Sequence, residues 1–259
     1  MAVPERLEAL VLRQVDYRDA DRMVSLLSAD RGRLELCVPQ ARSSRKRFGG
    51  LDLYTLAEFE LVERRGRERL SSARVLDSWL GIRDSIERLA LAAYACEMLL
   101  QAVPEEMPAE QVFLLAKAAL SSLESEAADA GLGWVRAFEL KLLHVLGARP
   151  SLRRCVICGD SGDALARFWS LEQGGLVLGS CADQCPDARP ISAGVLRLLD
   201  AALHLPLARQ AELCWGLSEQ REAHALLVPF VHTHIGGRDR ARSFLEQLLP
   251  VDVLAGEVL

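Results

Sequence analysis

The 259-residue sequence has no apolar run long enough to span a bilayer. Its most apolar segment, LALAAYACEMLLQAVP at 89–104, is interrupted by Glu97 and falls short of the about 20 residues a membrane helix needs. The N-terminal stretch MAVPERLEALVLRQ carries acids and arginines where a signal peptide has an uninterrupted apolar segment, so the expectation is a cytoplasmic chain with no membrane role. The GxGxxG, P-loop, GxSxG and HExxH motifs are all missing, which removes the motif-level grounds for catalysis. Isolated acid pairs such as Asp19/Asp21 and Glu105/Glu106 read as solvated, and the chain is expected not to be an enzyme. There is no internal repeat and no low-complexity tract.

Half of the residues are hydrophobic and 26% are charged, which is enough apolar material for a substantial core. The net charge of −5 argues against a protein that binds nucleic acid over its whole surface, but the charge is uneven. Residues 1–80 hold 15 Lys and Arg against 13 Asp and Glu, whereas the remainder holds 16 against 23. The two halves are therefore expected to meet different partners.

The first 80 residues read as strands. Segments 6–15, 22–30, 33–41, 54–64 and 69–79 are short, β-rich and partly alternating, and turn signals separate them. Five strands in this length fit a small barrel of the OB type, with an SH3-like barrel as the competitor on strand count. From Asp77 the apolar spacing becomes helical. Helices are expected over 84–103, over 108–125 with Pro108 in the first turn, over 133–147 ending at Gly147, and over 192–204, 218–235 and 238–249. Between them, ARFWSLEQGGLVLG reads as a hairpin turning at Gly174-Gly175. The fold expected is thus α+β: a five-stranded OB-type barrel at 1–79, then an all-helical domain at 80–259 with a zinc-binding hairpin element inserted at about 153–188.

Of seven cysteines, Cys37, Cys96 and Cys214 stand singly among apolar residues and are expected to behave as small hydrophobes. The other four form Cys155-x2-Cys158 and Cys181-x3-Cys185. Two close pairs separated by a hairpin suit tetrahedral, structural zinc, one ion per chain. Gly159 strengthens the first pair, because a positive φ lets backbone N–H groups turn back toward the sulfurs. The second pair is one residue longer than usual and is followed by Pro186, so the place of Cys185 as fourth ligand stays open. Free or disulfide-forming thiols, or a Cys155/Cys158 redox couple, are the alternatives, although a redox pair prefers a helix N-terminus after a strand.

Two clusters of cations fall within the strand region. ARSSRKRFGG (41–50) carries Arg42, Arg45, Lys46 and Arg47 with Phe48 alongside, and RRGRERL places Arg64, Arg65, Arg67 and Arg69 on a hairpin turn. Directed from barrel loops, such cations meet phosphates while aromatic rings stack on bases; solvated loops are the plainer alternative. His144, His204 and His224 lie on amphipathic segments and read as surface or boundary residues, and His232 and His234 are spaced too poorly for chelation.

The stretch LEALVLRQVDYRDADRMVSLLSADRGRLELCVPQARSSRKRFGGLDLYTLAEFEL, followed by FELKLLHVLGARPSLRRCVICG and GRDRARSFLEQL, resembles the bacterial RecO family of DNA repair proteins. The specific points of likeness are Tyr17-x-Asp19-x-x-Arg22, the basic loop after Pro39, and Phe138-Glu139-Leu140 through Pro150 into the cysteine pair. The resemblance implies an OB barrel, a helical domain and, in many members, a zinc element. It also implies binding to single- and double-stranded DNA, strand annealing, and loading of RecA with RecR onto strands coated by single-strand-binding protein (SSB), whose C-terminal tail is a further expected partner. Association with the nucleoid would follow from DNA binding. A zinc-containing sequence-specific regulator is the alternative within DNA-binding proteins, and it requires a reading helix rich in Arg, Asn or Gln that no segment clearly shows.

Overall fold

A computed structural model describes residues 4–43, 48–64, 66–124, 131–161, 166–236 and 240–249. It divides into two compact units, Met1–Ser125 and Glu126–Leu259. The chain is α+β, with a five-stranded antiparallel sheet followed by helices.

The first unit contains β1 (Glu5–Tyr17), β2 (Asp21–Ser28), β3 (Gly32–Val38), β4 (Leu56–Arg64) and β5 (Arg67–Asp77). These form one sheet in the order β3-β2-β1-β4-β5, and β5 also approaches β3. The arrangement is consistent with an OB-type barrel. β3 shows the cause most plainly: Leu34, Leu36 and Val38 are buried while the residues between them are more exposed, as the two-residue period of a strand requires. These side chains meet Val11, Leu26, Phe59 and Leu61 in a single core. The same alternation turns Cys37 outward, so this thiol is exposed rather than a core hydrophobe. Cys214 is exposed as well, and only Cys96 of the three single cysteines is buried.

Pairing along β1 decides where the turns fall. Glu5 is opposite Leu61 on β4, whereas Tyr17 is opposite Asp21 on β2. The β4–β5 turn therefore lies at the start of β1 and the β1–β2 turn at its end, up to about 40 Å apart at ~3.3 Å per residue.

Two helices, α1 (Ile86–Ala102) and α2 (Glu110–Glu124), belong to this unit. Ser85 caps α1 by accepting the Arg88 N–H. The connection between the helices is stitched to the barrel. Arg33 donates to the Leu100 carbonyl and the Glu105 carboxylate, both at 2.6 Å, and the Ala109 N–H donates to the Ala29 carbonyl at 2.8 Å. Gly32, at φ +61°, passes so close to the Met107 carbonyl that a Cβ there would collide with it. Pro108, expected in the first turn of α2, precedes it, because the first intrahelical bond runs from Phe113 N–H to the Ala109 carbonyl.

In the second unit α3 (Gly131–Val145) is apolar nearly all round and buried, with Trp134 and Phe138 stacked at 5.4 Å. It ends at Gly147, φ +77°, where the Ala148 N–H reaches back to the Leu143 carbonyl. A small sheet of β6 (Arg167–Ser170), β7 (Gly175–Leu178) and β8 (Arg189–Pro190) follows, then α4 (Ala193–His204), α5 (Leu217–Ile235) and α6 (Arg240–Leu248). Gly174 at φ +81° closes the β6–β7 turn, while Gly175 already pairs with Ser170.

One buried charge cluster joins these helices. Glu139, fully buried on α3, accepts from Arg136 at 2.9 Å and from Arg242 on α6 at 2.8 Å. Arg136 also donates to His224 Nδ1 on α5 at 2.8 Å. A carboxylate serving two buried guanidinium groups is costly to remove, because each cation then loses a close buried counter-charge. Glu139→Gln is expected to lower the stability of this unit by about 3–5 kcal/mol, measured by urea unfolding. A change under about 1 kcal/mol would show that solvent reaches the cluster.

Candidate nucleic-acid interface and metal site

At the β1–β2 turn the barrel holds the foot of the basic loop. The Gln40 N–H donates to the Asp21 carboxylate at 3.0 Å, and the Arg42 N–H donates to the Ala20 carbonyl at 3.1 Å. The Arg42 guanidinium reaches the Asp19 carbonyl at 3.2 Å and Asp16 at 3.5 Å. Arg22, across the strand pair from Asp16, meets the same carboxylate at 3.0 Å. An open cleft of about 640 Å³ lies here, lined by Asp16, Asp19, Arg22, Ala41, Arg42, Phe48 and Asp52. Tyr17 is exposed at this end, with the Arg18 guanidinium 5.1 Å from its ring centre.

Of the first basic cluster, only Arg42 falls among the described residues; Arg45, Lys46 and Arg47 lie outside them. Phe48, expected as a stacking ring, is instead buried in the barrel core, where it packs with Ala41 and Leu51. Its apolar ring gains more from that burial than from water, which leaves Tyr17 as the exposed aromatic of this end. In the second cluster Arg65 lies outside the described residues, Arg64 and Arg67 are backbone register partners in the β4–β5 ladder, and Arg69 is exposed on β5 at the register position of Val62. The register along β1 places this cluster at the other end of the barrel from Arg42. The structure thus groups Arg42 with Arg22, and Arg64 and Arg67 with Arg69, but does not bring the two groups together. Arg22 carried no charge-run signal, since Asp19 and Asp21 precede it and Met23 and Val24 follow.

In the second unit the Sγ atoms of Cys155, Cys158 and Cys181 all lie within 4.8 Å of one another, and this is the only such group of ligand-type side chains among the described residues. The local backbone explains how. The Cys155 N–H donates to the Asp160 carbonyl at 2.8 Å and the Gly159 N–H to the Cys155 carbonyl at 2.9 Å, with Gly159 at φ +79°. The turn is held beside β7 by bonds from Val156 N–H to Leu176 and from Leu176 N–H to Ser151. Gly175 passes against Ser151 with no room for a Cβ. The other half sits on a 3-10 turn, Gly179–Gln184, that carries Cys181 and closes with the Cys185 N–H on the Ala182 carbonyl. Asp187 accepts from the Ser170 hydroxyl at 2.7 Å and the Glu172 N–H at 2.9 Å, fastening that segment to the hairpin.

Burial raises the Cys155 pKa, but N–H groups of Cys158, Leu178 and Ile157, with the Cys158 thiol, outweigh it and bring the value down to about 7. The Leu178 N–H lies 3.4 Å from this sulfur. Cys185 is pushed up, first by burial and then by Asp187 and Cys155. Ser180 lowers the Cys181 pKa, but burial and the neighbouring Cys158 and Cys155 sulfurs raise it on balance. Three sulfurs this close cannot all ionise against one another, whereas a dication satisfies them together. Tetrahedral Zn–S bonds of about 2.3 Å put sulfurs ~3.8 Å apart, which the cluster accommodates. The residues therefore fit a metal ion. Cys185 is buried in the same apolar cluster but outside the mutual 4.8 Å group.

Among the described residues no helix is long and apolar enough to cross a membrane. The family model described as recombination protein O N terminal matches residues 1–79, and that described as recombination protein O C terminal matches residues 83–243. The DNA repair protein RecO of Anaeromyxobacter dehalogenans (strain 2CP-C) is 36% identical over 250 residues, covering 95% of this chain and 97% of that protein. That of Pelobacter propionicus is 33% identical, again covering 95% and 97%, and that of Myxococcus xanthus is 29% identical, covering 93% and 96%.

Elemental analysis of protein purified without added metal is expected to find about one ion per chain, lost on Cys155→Ser. A metal-free native chain whose Cys155 thiol reacts with a midpoint near pH 7 would contradict this and point to a thiol couple.

Proposed function

The chain belongs to the RecO family of DNA repair proteins, and from that premise we propose that it is a recombination mediator. It binds single- and double-stranded DNA, anneals complementary strands and, with RecR, helps load RecA onto strands coated by SSB. The observation that supports this reading is the anchoring of Arg42, at the foot of the basic loop, on the β1–β2 turn beside Arg22, while Arg69 follows the β4–β5 turn at the other end of the barrel. Arg42, Arg45, Lys46 and Arg47 form the first phosphate-binding group; Arg64, Arg65, Arg67 and Arg69 form the second.

The chemistry asked of these groups is modest. Two strands approaching to pair repel through their phosphates, and a guanidinium or ammonium between them lowers that repulsion. No bond is made or broken. Two separated groups suit two segments of nucleic acid better than a single deep site does. The more acidic remainder of the chain serves the protein partners, RecR and the SSB tail.

Zinc, one per chain and held by Cys155, Cys158, Cys181 and Cys185, would stabilise the hairpin element. Four protein sulfurs leave no open position for a reacting water, so its contribution is structural. The site of action is the cytoplasm, at the nucleoid when DNA is bound.

If about six phosphates are neutralised on a single strand, log K is expected to fall with log[salt] with a slope of about −4. Replacing Arg42, Arg45, Lys46 and Arg47 together by Ala should flatten the slope by about 0.7 for each phosphate left without its cation. Fluorescence anisotropy with a labelled oligonucleotide measures both. A slope near zero, or binding unchanged in the fourfold variant, would remove the first group from the DNA-binding surface.

A further inference from the structure

We propose that Asp16 is a positioning residue that sets how tightly the β1–β2 end of the barrel holds DNA, by occupying the two guanidinium groups that a phosphate would otherwise take. This rests on the DNA-binding reading above and adds a residue that opposes binding. One carboxylate serves both cations: Asp16 Oδ1 lies 3.0 Å from Arg22 Nε, and Oδ2 lies 3.5 Å from Arg42 Nε. The carboxylate stands where a phosphate would bridge the same pair.

The ion pairs are strong enough to orient the cations and weak enough to exchange. The side chains of Arg22, Arg42 and Asp16 are 25%, 46% and 53% exposed. Ion pairs in such surroundings are weak, worth at most about fivefold in an equilibrium constant, which a polyanion with its condensed counterions can match. Asp19 and Asp52 line the same cleft, so its described wall carries three carboxylates against two guanidinium groups. An entering phosphodiester therefore meets repulsion until Asp16 gives way. Arg42 keeps its backbone bond to Ala20 and its hydrogen bond to the Asp19 carbonyl when that happens, so the loop's foot stays in place. A protein that brings strands together and then releases the duplex benefits from cations that are returned to an internal partner.

The test is anisotropy titration of the full chain against a labelled oligothymidylate over a salt series. Asp16→Asn removes the charge while its amide oxygen still accepts from Arg22. It is expected to bind about fivefold tighter at low salt, with a slope steeper by about 0.7 for each additional phosphate neutralised. Glu58→Gln, which changes net charge equally but on the pair with Arg74, is expected to leave the slope unaltered. In an Arg42→Ala background the gain from Asp16→Asn should shrink.

An Asp16→Asn protein with wild-type melting temperature but equal or weaker binding would overturn the proposal, as would equal tightening by Glu58→Gln. Asp16→Ser gives the same reading should the asparagine variant fold poorly. Wild-type protein with no salt-dependent binding would be a separate result, overturning the DNA-binding reading and this proposal with it.

Discussion

The antiparallel pairing of β1 with two different strands is the constraint on which the rest of the first unit depends. Its first half is hydrogen-bonded to β4 and its second half to β2, with a register shift between Val11 and Arg13. Each strand alternates its side chains between core and solvent, so a slip by one residue would move Leu7, Ala9 and Val11 out of the core. That cost holds the register, and the register in turn decides which loops share an end of the barrel. Arg22, Arg42 and Asp16 come together because β2 starts and β3 ends at the mouth where β1 ends; Arg64 and Arg69 are carried away because β4 ends and β5 starts at the opposite end, where β1 begins.

The second unit solves a different problem. Its hairpin strands have four residues each, too short a pair to be stable alone, although β7 is buried throughout and Trp169 of β6 is buried with it. Backbone bonds from Ser151, Val156 and Leu176, with Asp187 on the turn, bring the three close sulfurs together. A bound ion would add cohesion to so short an element. The helices are tied separately, through Glu139 between Arg136 and Arg242. Two of the stretches that carry the family likeness meet at this cluster, which gives a structural reason for charged residues inside an otherwise apolar helix.

Much of this was legible in the sequence because it is local. The strands of the barrel and the helices after it follow from alternation and helical spacing, and Gly147, Gly159 and Gly174 sit at positive φ where the turn signals placed them. What was not legible depends on pairing between distant segments. Phe48 beside three cations reads as a stacking ring until the barrel closes over it. Cys37 between Leu36 and Val38 reads as buried until strand register turns it outward. The attachment of α1 and α2 to the barrel runs through Arg33 and Gly32, neither of which announces a partner about 70 residues away. Asp16 belongs to the same class: an acid near the end of β1, significant only once two arginines are seen to share it.

The central claim is that cations at the ends of the barrel, and not the cysteine element, bring DNA strands together. Its most direct measurement is the rate at which the full chain anneals complementary strands coated with their cognate SSB, compared before and after metal chelation and with the variant lacking the four cations of 42–47. The account predicts that annealing is lost with those cations and at high salt, and persists after chelation in protein that stays folded. Annealing that survives loss of the cations, or disappears with the metal while the fold is intact, would contradict it.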